Sequence, residues 1–424
     1  MDTIYALATA QGRAGVAIIR VSGPDAFAAA ERLAGALPAV RGVRILRDDE
    51  GEILDEALVL RFAAGHSFTG EDVVELHLHG SPAIVAAVQR ELGDIPGLRM
   101  AEAGEFTRRA MENGTLDLAQ VEGLADLIDA ETEAQRKQAL RVFSGRLGEM
   151  ADGWRRDLIR AAALIEAAID FVDEDVPVDV TPEVRRLVAK VRGEMASEAA
   201  GVGVAERIRD GFEVAIIGPP NAGKSTLLNR LAGRDVAITS AVAGTTRDVI
   251  EVRMDLGGLP VTMLDTAGLR ETEDEVERIG VARARARSEA SDLRIHLVGA
   301  ESDVPDWTED DLFFRGKQDE TIDERGISGL TGAGLDNLIK AVSDRLSRKA
   351  ARAGVAMRAR HRDALERAVR DLDAAMRTLE SDPALADIVA EDLRSAIRAV
   401  DGLVGRIDVE HVLDEIFSSF CIGK

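Results

Sequence analysis

The strongest chemical signal in the sequence is a glycine-rich stretch in its second half. Residues 218–226 read GPPNAGKST and match the pattern G-x-x-x-x-G-K-[ST]. A predicted strand precedes this loop and a predicted helix follows it, which is the context that a phosphate-binding loop requires. We expect Lys224 to neutralise the β- and γ-phosphates and Ser225 to bind Mg²⁺. The phosphate-binding residues predicted here are Asn221, Ala222, Gly223, Lys224, Ser225 and Thr226.

A second motif ends a predicted strand with an acidic residue. Residues 261–268 read VTMLDTAG, in which Asp265 would hold a Mg²⁺-bound water while the following backbone reaches the γ-phosphate. Between the two motifs, residues 240–248 read SAVAGTTRD. Either Thr245 or Thr246 could complete the Mg²⁺ shell with a hydroxyl, as a switch that senses the γ-phosphate requires. The nucleotide contacts predicted in the second motif are Asp265, Thr266, Ala267 and Gly268.

The motif that would read the base is incomplete. Guanine recognition usually uses Asn-Lys-x-Asp, whose aspartate accepts hydrogen bonds from guanine N1–H and N2–H. Residues 314–320 read FRGKQDE, so Lys317 and Asp319 are present and Gly316 stands where asparagine is expected. Asp319 keeps the complementarity to guanine that adenine cannot satisfy. A lost polar contact and a flexible residue would lower the affinity. We expect residues 327–334, ISGLTGAG, to close over the base.

Hydrolysis also needs a group that orients the attacking water. Many switch proteins place glutamine directly after D-x-x-G, but Leu269 occupies that position here. The acidic run ETEDEVE at 271–277 offers carboxylates, although such runs are usually solvated loops. These residues alone therefore leave the water-orienting group open.

Two kinds of periodicity indicate the elements that position these motifs. Up to about residue 115, apolar residues alternate with polar ones in short runs such as GVAIIRVSG (15–23) and EDVVELHLHG (71–80), which indicates strands of an α+β domain. From about 117 the apolar spacing becomes helical, and one bundle would bury the stripes. The stripes are Phe143, Leu147, Met150, Trp154 and Leu158; then Leu365, Val369, Leu372, Met376 and Leu379; then Leu393, Ile397, Val400, Val404 and Ile407.

These patterns predict a multidomain α/β protein with four consecutive regions. An α+β domain occupies 1–116, a first helical segment 117–209, a P-loop GTPase domain 210–350, and a second helical segment with its CIGK tail 351–424. The two helical segments would form one bundle, so that the Ras-like domain, with a central mostly parallel sheet, is an insertion between them.

Composition restricts the possible partners and compartments. The chain is 46% hydrophobic and 30% charged, as soluble globular proteins are. A net charge of -23 argues against a broad nucleic-acid surface, because phosphate contacts need a basic face. The single cysteine, Cys421, permits no disulfide within the chain and suits a reducing compartment. The first residues lack a signal-peptide pattern, and we expect a cytoplasmic protein without a membrane role.

The motifs together resemble those of the MnmE (TrmE) family of tRNA modification GTPases. The matching stretches are GHSFTGEDVVELHLHG, LDLAQVEGLADLIDA, GPPNAGKST, GTTRD, DTAGLRETEDEVERIG and the terminal FCIGK. The resemblance implies an N-terminal domain that dimerises and binds 5-formyl-tetrahydrofolate or a related tetrahydrofolate. The implied folate contacts are Arg20, Glu75 and Lys424, with the C-terminal tail reaching back to this site and Cys421 in a possible chemical role. Thr115 stands where the family often has a further basic contact.

The same resemblance implies K⁺-dependent hydrolysis of GTP, with G domains associating across a homodimer. It assigns Mg²⁺ to Ser225 and Thr246 and the orientation of the attacking water to Glu277. The implied K⁺ ligands are Asn221, Ser240, Val242 and Thr245.

The implied biological reaction adds an aminomethyl-type group, such as (carboxymethyl)aminomethyl, to C5 of the wobble uridine of certain tRNAs. The partner would be an MnmG-type flavoprotein, which carries FAD and binds most of the tRNA in a heterotetramer. Two alternatives stay open. A ribosome-assembly GTPase would need only residues 210–350, and a folate-dependent one-carbon enzyme with a degenerate nucleotide domain would explain Gly316 and Gly299.

Overall fold

The structure is a computed structural model that divides into two compact units. One unit comprises residues 1–125 and 404–424, and the other residues 126–403. The residues described below are 2–170, 179–234, 237–238, 251–265, 286–298, 307–319, 323–381, 385–407 and the single positions 417, 420 and 423.

The first unit contains a six-stranded sheet in the order β3-β4-β5-β2-β1-β6. Its strands are β1 Thr3–Leu7, β2 Val16–Ser22, β3 Arg41–Arg47, β4 Ile53–Phe62, β5 Val73–His79 and β6 Leu98–Met100. Its helices are α1 Ala26–Ala34, α2 Pro82–Gly93 and α3 Glu105–Glu112, followed by α4 Leu118–Ile128. All neighbouring strands are antiparallel except β1 and β6, which are parallel.

Alternation within these strands places a core on one face of the sheet. Val74, Leu76 and Leu78 of β5 are buried in a cluster with residues of α1 and α2, whereas Glu75 and His77 lie on the opposite face. The α+β character predicted for this region is confirmed.

The second unit begins with three helices and continues into a five-stranded sheet. The helices are α5 Glu133–Phe143, α6 Arg146–Asp170 and α7 Thr181–Asp210. The inserted segment contains β7 Phe212–Ile217, α8 Lys224–Ala232, β8 Glu251–Leu256, β9 Leu259–Asp265, β10 Leu293–Leu297, β11 Leu312–Phe314 and α9 Leu335–Ala350. The strand order is β11-β10-β7-β9-β8, and only β8 runs antiparallel to its neighbour. This is the mostly parallel sheet predicted for the G domain.

Two further helices complete a bundle with the helices that precede the insertion. Helix α10 Ala359–Ser381 packs on α7, helix α11 Ala386–Leu403 packs on α6, and α10 and α11 pack on each other. Leu147, Trp154 and Leu158 of α6 are buried, as are Leu365 and Leu372 of α10. The predicted bundle of two chain segments is therefore confirmed.

Two details of the predicted helical stripes are wrong. Phe143 is the last residue of α5 rather than part of the next helix, because Gly145 has a φ of 86° and ends the helical backbone before α6. Helix α11 ends at Leu403, so Val404 and Ile407 do not continue its stripe. The chain leaves this helix through Gly405, whose φ is 81°.

The insertion leaves and re-enters the bundle at neighbouring points. A Cβ on Gly201 of α7 would lie 2.7 Å from the backbone nitrogen of Gly354, so the two segments are in direct backbone contact. The Glu198 carboxylate accepts hydrogen bonds from the N–H groups of Val355 at 2.8 Å and Ala356 at 3.3 Å. The side chain of Gln138 donates to the carbonyl of Gly354 at 2.8 Å. These contacts fix the return of the chain to the bundle. Along the described residues, no helix has the length and apolar content that a membrane span requires.

Candidate functional site

The phosphate-binding loop connects the central strand β7 to helix α8. A Cβ on Gly218 would lie 2.8 Å from the carbonyl oxygen of Leu297, so only glycine fits beside β10 at the start of the loop. Gly223 has a φ of 95° and precedes the first helical residue. The unpaired N–H groups of the first turn of α8 therefore face the loop, where they favour an anion.

Lys224 is buried at the start of α8. Its ammonium donates hydrogen bonds to the carbonyls of Gly218 at 2.7 Å and Pro219 at 3.1 Å. Burial lowers the pKa of Lys224, and the nearby Asp265 carboxylate acts in the opposite direction. Asp265 is the last residue of β9 and is paired with Ile216 of the adjacent strand. The cation and the carboxylate thus lie at the same edge of the sheet, as binding of a metal–phosphate group requires.

A cavity of about 370 Å³ adjoins this loop. Its lining includes Ala222 and Gly223 of the phosphate-binding loop together with Lys317 and Asp319. Asn221 and Lys317 are the two non-glycine residues with positive φ in the described part of the chain, at 63° and 59°. Strained backbone of this kind concentrates at functional sites, and here both residues belong to predicted nucleotide motifs.

The loop after β11 is held by the segment predicted to close over the base. The hydroxyl of Ser328 is fully buried and donates to a carboxylate oxygen of Asp319 at 2.5 Å. The N–H of Thr331 donates to the same hydroxyl oxygen at 2.9 Å. The sequence had suggested this loop only as a backbone closure, so the role of Ser328 in orienting Asp319 was missed. The available signal was a serine four residues before Gly332 and six before Gly334, two glycines with positive φ.

The first unit contains a charged pair on the face of its sheet opposite α1 and α2. Arg20 on β2 is paired in register with Glu75 on β5, and its Nε and Nη2 donate to Glu75 Oε1 at 3.0 and 2.9 Å. His77 Nε2 lies 3.2 Å from Glu75 Oε2. The Arg20 guanidinium lies 5.4 Å from the centre of the Phe68 ring and 5.6 Å from that of Phe106. The sequence did not identify these aromatic neighbours.

The described positions of the C-terminal tail pack within this same unit. Phe417 is fully buried in a cluster with Val121 and Phe420. Gly423 has a φ of 99°, and a Cβ on it would lie 2.0 Å from the carbonyl oxygen of Leu7 at the end of β1. The tail therefore lies directly against the sheet that carries Arg20 and Glu75.

Family models match nearly the whole chain. Residues 3–115 match the model described as GTP-binding protein TrmE N-terminus, and residues 118–421 match that of the MnmE helical domain. The chain belongs to the MnmE family of tRNA modification GTPases. It is accordingly a GTP hydrolase involved in tRNA modification.

Full-length relatives agree with this assignment. The tRNA modification GTPase MnmE of Ruegeria pomeroyi is 62% identical over 428 residues, and that of Roseobacter denitrificans is 60% identical over 428 residues. The MnmE protein of Cereibacter sphaeroides is 60% identical over 429 residues. Each match covers 100% of both chains. A solved structure of Aquifex aeolicus Era bound to GDP and aluminium fluoride matches 31% of this chain and 56% of its own at 27% identity, with a TM-score of 0.24.

Several residues predicted from the motifs or from the MnmE resemblance lie outside the described residues, and their roles stay predictions. They are Ser240, Val242, Thr245, Thr246, Thr266, Ala267, Gly268, Glu277, Cys421 and Lys424. At the position of the further basic folate contact, the Thr115 hydroxyl donates to the Ala110 carbonyl at 2.5 Å, and the Phe68 carbonyl lies 3.2 Å from the same oxygen. Thr115 therefore supports the local backbone with its hydroxyl.

Proposed function

We propose that this member of the MnmE family works with an FAD-containing MnmG-type partner to add a (carboxymethyl)aminomethyl-type group to C5 of the wobble uridine of certain tRNAs. A tetrahydrofolate would supply the one-carbon unit. The observation that carries this proposal is the juxtaposition in one unit of the Arg20–Glu75 pair and the C-terminal tail, which reaches the same sheet at Gly423. The G domain would supply a conformational cycle driven by GTP.

The residues of the first unit fit a folate. A pterin ring has N–H groups that can donate hydrogen bonds to a carboxylate such as Glu75. The flat surface of the ring suits aromatic neighbours such as Phe68 and Phe106. The side chains of Arg20 and Glu75 remain partly exposed, at 20% and 15%, so a ligand can reach them. Arg20 would orient the Glu75 carboxylate through two hydrogen bonds to one of its oxygens.

We propose that the G domain binds GTP together with Mg²⁺ and K⁺. Ser225 lies in the first turn of α8, one residue after Lys224, so its hydroxyl belongs to the phosphate-binding end of the helix. We assign Mg²⁺ to Ser225 and Thr246, and K⁺ to Asn221 with Ser240, Val242 and Thr245. The cations would stabilise charge on the phosphates, Glu277 would orient the attacking water, and Asp319 would read guanine.

The exposed part of the first sheet fits a second copy of this chain. Val43 and Ile45 of the edge strand β3, Leu58 of β4 and Val16 of β2 are 56%, 45%, 38% and 52% exposed. The first three lie on adjacent positions of one sheet face, on the side of the Arg20–Glu75 pair. An apolar patch beside charges of both signs suits a self-complementary interface, and we propose a homodimer through it.

The family assignment also bears on the alternatives. A ribosome-assembly GTPase would have no use for the folate-type site in residues 1–116. A degenerate nucleotide domain is disfavoured by a cavity in which the P-loop, Lys317 and Asp319 come together. The net charge of -23 is consistent with a cytoplasmic complex in which the flavoprotein partner makes most tRNA contacts.

Two assays on the purified full chain test this proposal. Calorimetric titration with 5-formyl-tetrahydrofolate should show binding, and its absence would contradict the folate assignment. Steady-state turnover of GTP should exceed that of ATP and be faster in KCl than in NaCl at equal ionic strength. A Glu277→Ala variant should lose turnover while still binding GDP. Equal rates in both salts would contradict the K⁺ assignment.

A further inference from the structure

The position that lacks the usual asparagine touches the phosphate-binding loop. A Cβ built on Gly316 would lie 2.5 Å from the carbonyl oxygen of Ala222, well inside van der Waals contact. Gly316 does not have the positive φ that would itself demand glycine. The restriction at this position is therefore one of space, because two backbones meet there.

The loop that contains Gly316 is fixed on both sides. Arg315 forms a parallel bridge with Gly326, in which the N–H of Arg315 donates to the Arg325 carbonyl at 2.8 Å and its carbonyl accepts from Ile327 at 2.8 Å. Two residues after Gly316, the N–H of Gln318 donates to the Ile327 carbonyl at 3.1 Å. Moving the loop away from Ala222 would break these hydrogen bonds.

The phosphate-binding loop is equally constrained. The N–H of Ala222 donates to the Pro219 carbonyl at 3.2 Å, inside a loop whose first glycine contacts β10. On the far side, a Cβ on Gly329 would lie 2.8 Å from the backbone nitrogen of Leu227 in α8. The loop of Gly316 contacts the phosphate-binding loop, and the loop of Gly329 contacts the first turn of α8. At both contacts a side chain in place of glycine would overlap backbone atoms.

We infer that Gly316 is a fitted contact that sets the distance between the phosphate-binding loop and Asp319, so that any side chain at this position, asparagine included, weakens binding of a guanine nucleotide. This inference rests on the proposed role of Asp319 in reading the base. Gly316 is then a positioning residue that compensates for the missing asparagine by direct backbone packing.

The expected effect of Gly316→Asn depends on whether its steric cost exceeds the gain from a restored amide contact. An added side chain would push the two loops apart, and holding them at the binding distance against this overlap should raise the Kd by about fivefold to about 150-fold. A recovered amide contact would return only about twofold to about tenfold. The steric cost should therefore exceed the gain, and Gly316→Asn should not raise the affinity for GDP.

The test uses the full chain with Mg²⁺ and compares Gly316→Ala, Gly316→Asn and the control Gly233→Ala. Gly233 lies in the same domain, and a Cβ there would have its nearest neighbours at an ordinary 3.8 Å. Calorimetric titration should give a Kd for GDP raised at least about fivefold in both Gly316 variants and unchanged in the control. Titration with IDP, which lacks the 2-amino group, should show a smaller GDP-to-IDP preference in Gly316→Ala, because Asp319 has moved relative to the phosphates.

The outcomes separate the inference from the function on which it rests. A Gly316→Asn variant that binds GDP as tightly as the wild type, or more tightly, would overturn the inference. An unchanged GDP-to-IDP preference in a folded Gly316→Ala variant would show a merely structural effect and overturn it as well. Failure of the wild-type protein to bind GDP would instead reject the proposed nucleotide site. Circular dichroism establishes that each variant is folded, and the single methyl group of Gly316→Ala is the milder change.

Discussion

The Ser328 hydroxyl donates a hydrogen bond to Asp319 Oδ1 at 2.5 Å. Ser328 is fully buried while Asp319 is exposed and lines the cavity, so a buried hydroxyl orients a carboxylate that is open to the cavity. The hydroxyl also accepts from the Thr331 N–H, which leaves its proton for the carboxylate. Asp319 is thereby held in one orientation by the loop that follows it.

Replacing Ser328 by alanine should weaken guanine-nucleotide binding without removing it. The variant loses a hydrogen bond to a charged group, worth about 1.5–3 kcal/mol, part of which appears as a Kd for GDP raised about tenfold. Calorimetric titration measures this change. Ser347→Ala, at an exposed position on α9, is the matched control and should bind GDP as the wild type does. Wild-type affinity in Ser328→Ala would show that Asp319 needs no such support.

Neutralising Glu75 should reduce binding of 5-formyl-tetrahydrofolate. A Glu75→Gln variant keeps the shape of the side chain but removes the charge that pairs with Arg20, and we expect an affinity lower by about tenfold or more. Titration of the ligand into each protein gives the comparison. Glu56→Gln removes an exposed carboxylate on the same sheet and should have no effect. Equal losses in both variants would point to net charge rather than to the site.

Adding a methyl group to the tail should detach it from the first sheet. Gly423 has a φ of 99° and its Cβ would overlap the Leu7 carbonyl, so Gly423→Ala cannot keep the observed contact. We expect weaker binding of 5-formyl-tetrahydrofolate and faster proteolysis at the C-terminus, with GDP affinity unchanged. Gly15→Ala, where a Cβ would meet nothing within 4 Å, is the control in the same unit. Folate binding at the wild-type level in Gly423→Ala would show that the tail is not part of the folate site.

A charge on the exposed sheet face should dissociate the homodimer. Val43 lies on edge strand β3, opposite Leu58 in register, and Val43→Asp would bury a carboxylate in the proposed interface. Sedimentation equilibrium should then report a monomer, whereas Ile159→Asp, at an exposed position of α6, should leave the dimer intact. A dimer in Val43→Asp would place the interface elsewhere, and a monomeric wild type would contradict the dimer itself.

Much of the fold follows from local sequence patterns. Alternation in EDVVELHLHG predicted β5, and the P-loop pattern predicted a strand, a turn and a helix that occur as β7, the loop and α8. These succeed because each pattern reflects the face of one element that is buried. The end of α5 was also readable, since Ser144 and Gly145 form a common helix-ending pair, but an apolar spacing that continued across it concealed the break.

The candidate site was less readable, because its key contacts join distant parts of the chain. Nothing near Gly316 in sequence indicates that the Ala222 carbonyl occupies the space of its missing side chain. The aromatic neighbours of Arg20 come from residues 68 and 106, and only tertiary packing brings them together. Motifs therefore predicted the candidate ligand-binding residues, whereas the contacts that support those residues are revealed only by the folded chain.

The backbone contact between Gly201 and Gly354 has a consequence for how the chain folds. The helices of the bundle are separated in sequence by the whole sheet domain, so joining them directly from an unfolded chain would close a long loop at a substantial entropic cost. Once the sheet domain has formed, its two ends are already neighbours and that cost is largely removed. We therefore expect the inserted domain to promote assembly of the helices that flank it in the sequence, and a substitution that unfolds this domain to slow formation of the bundle as well as abolish nucleotide turnover.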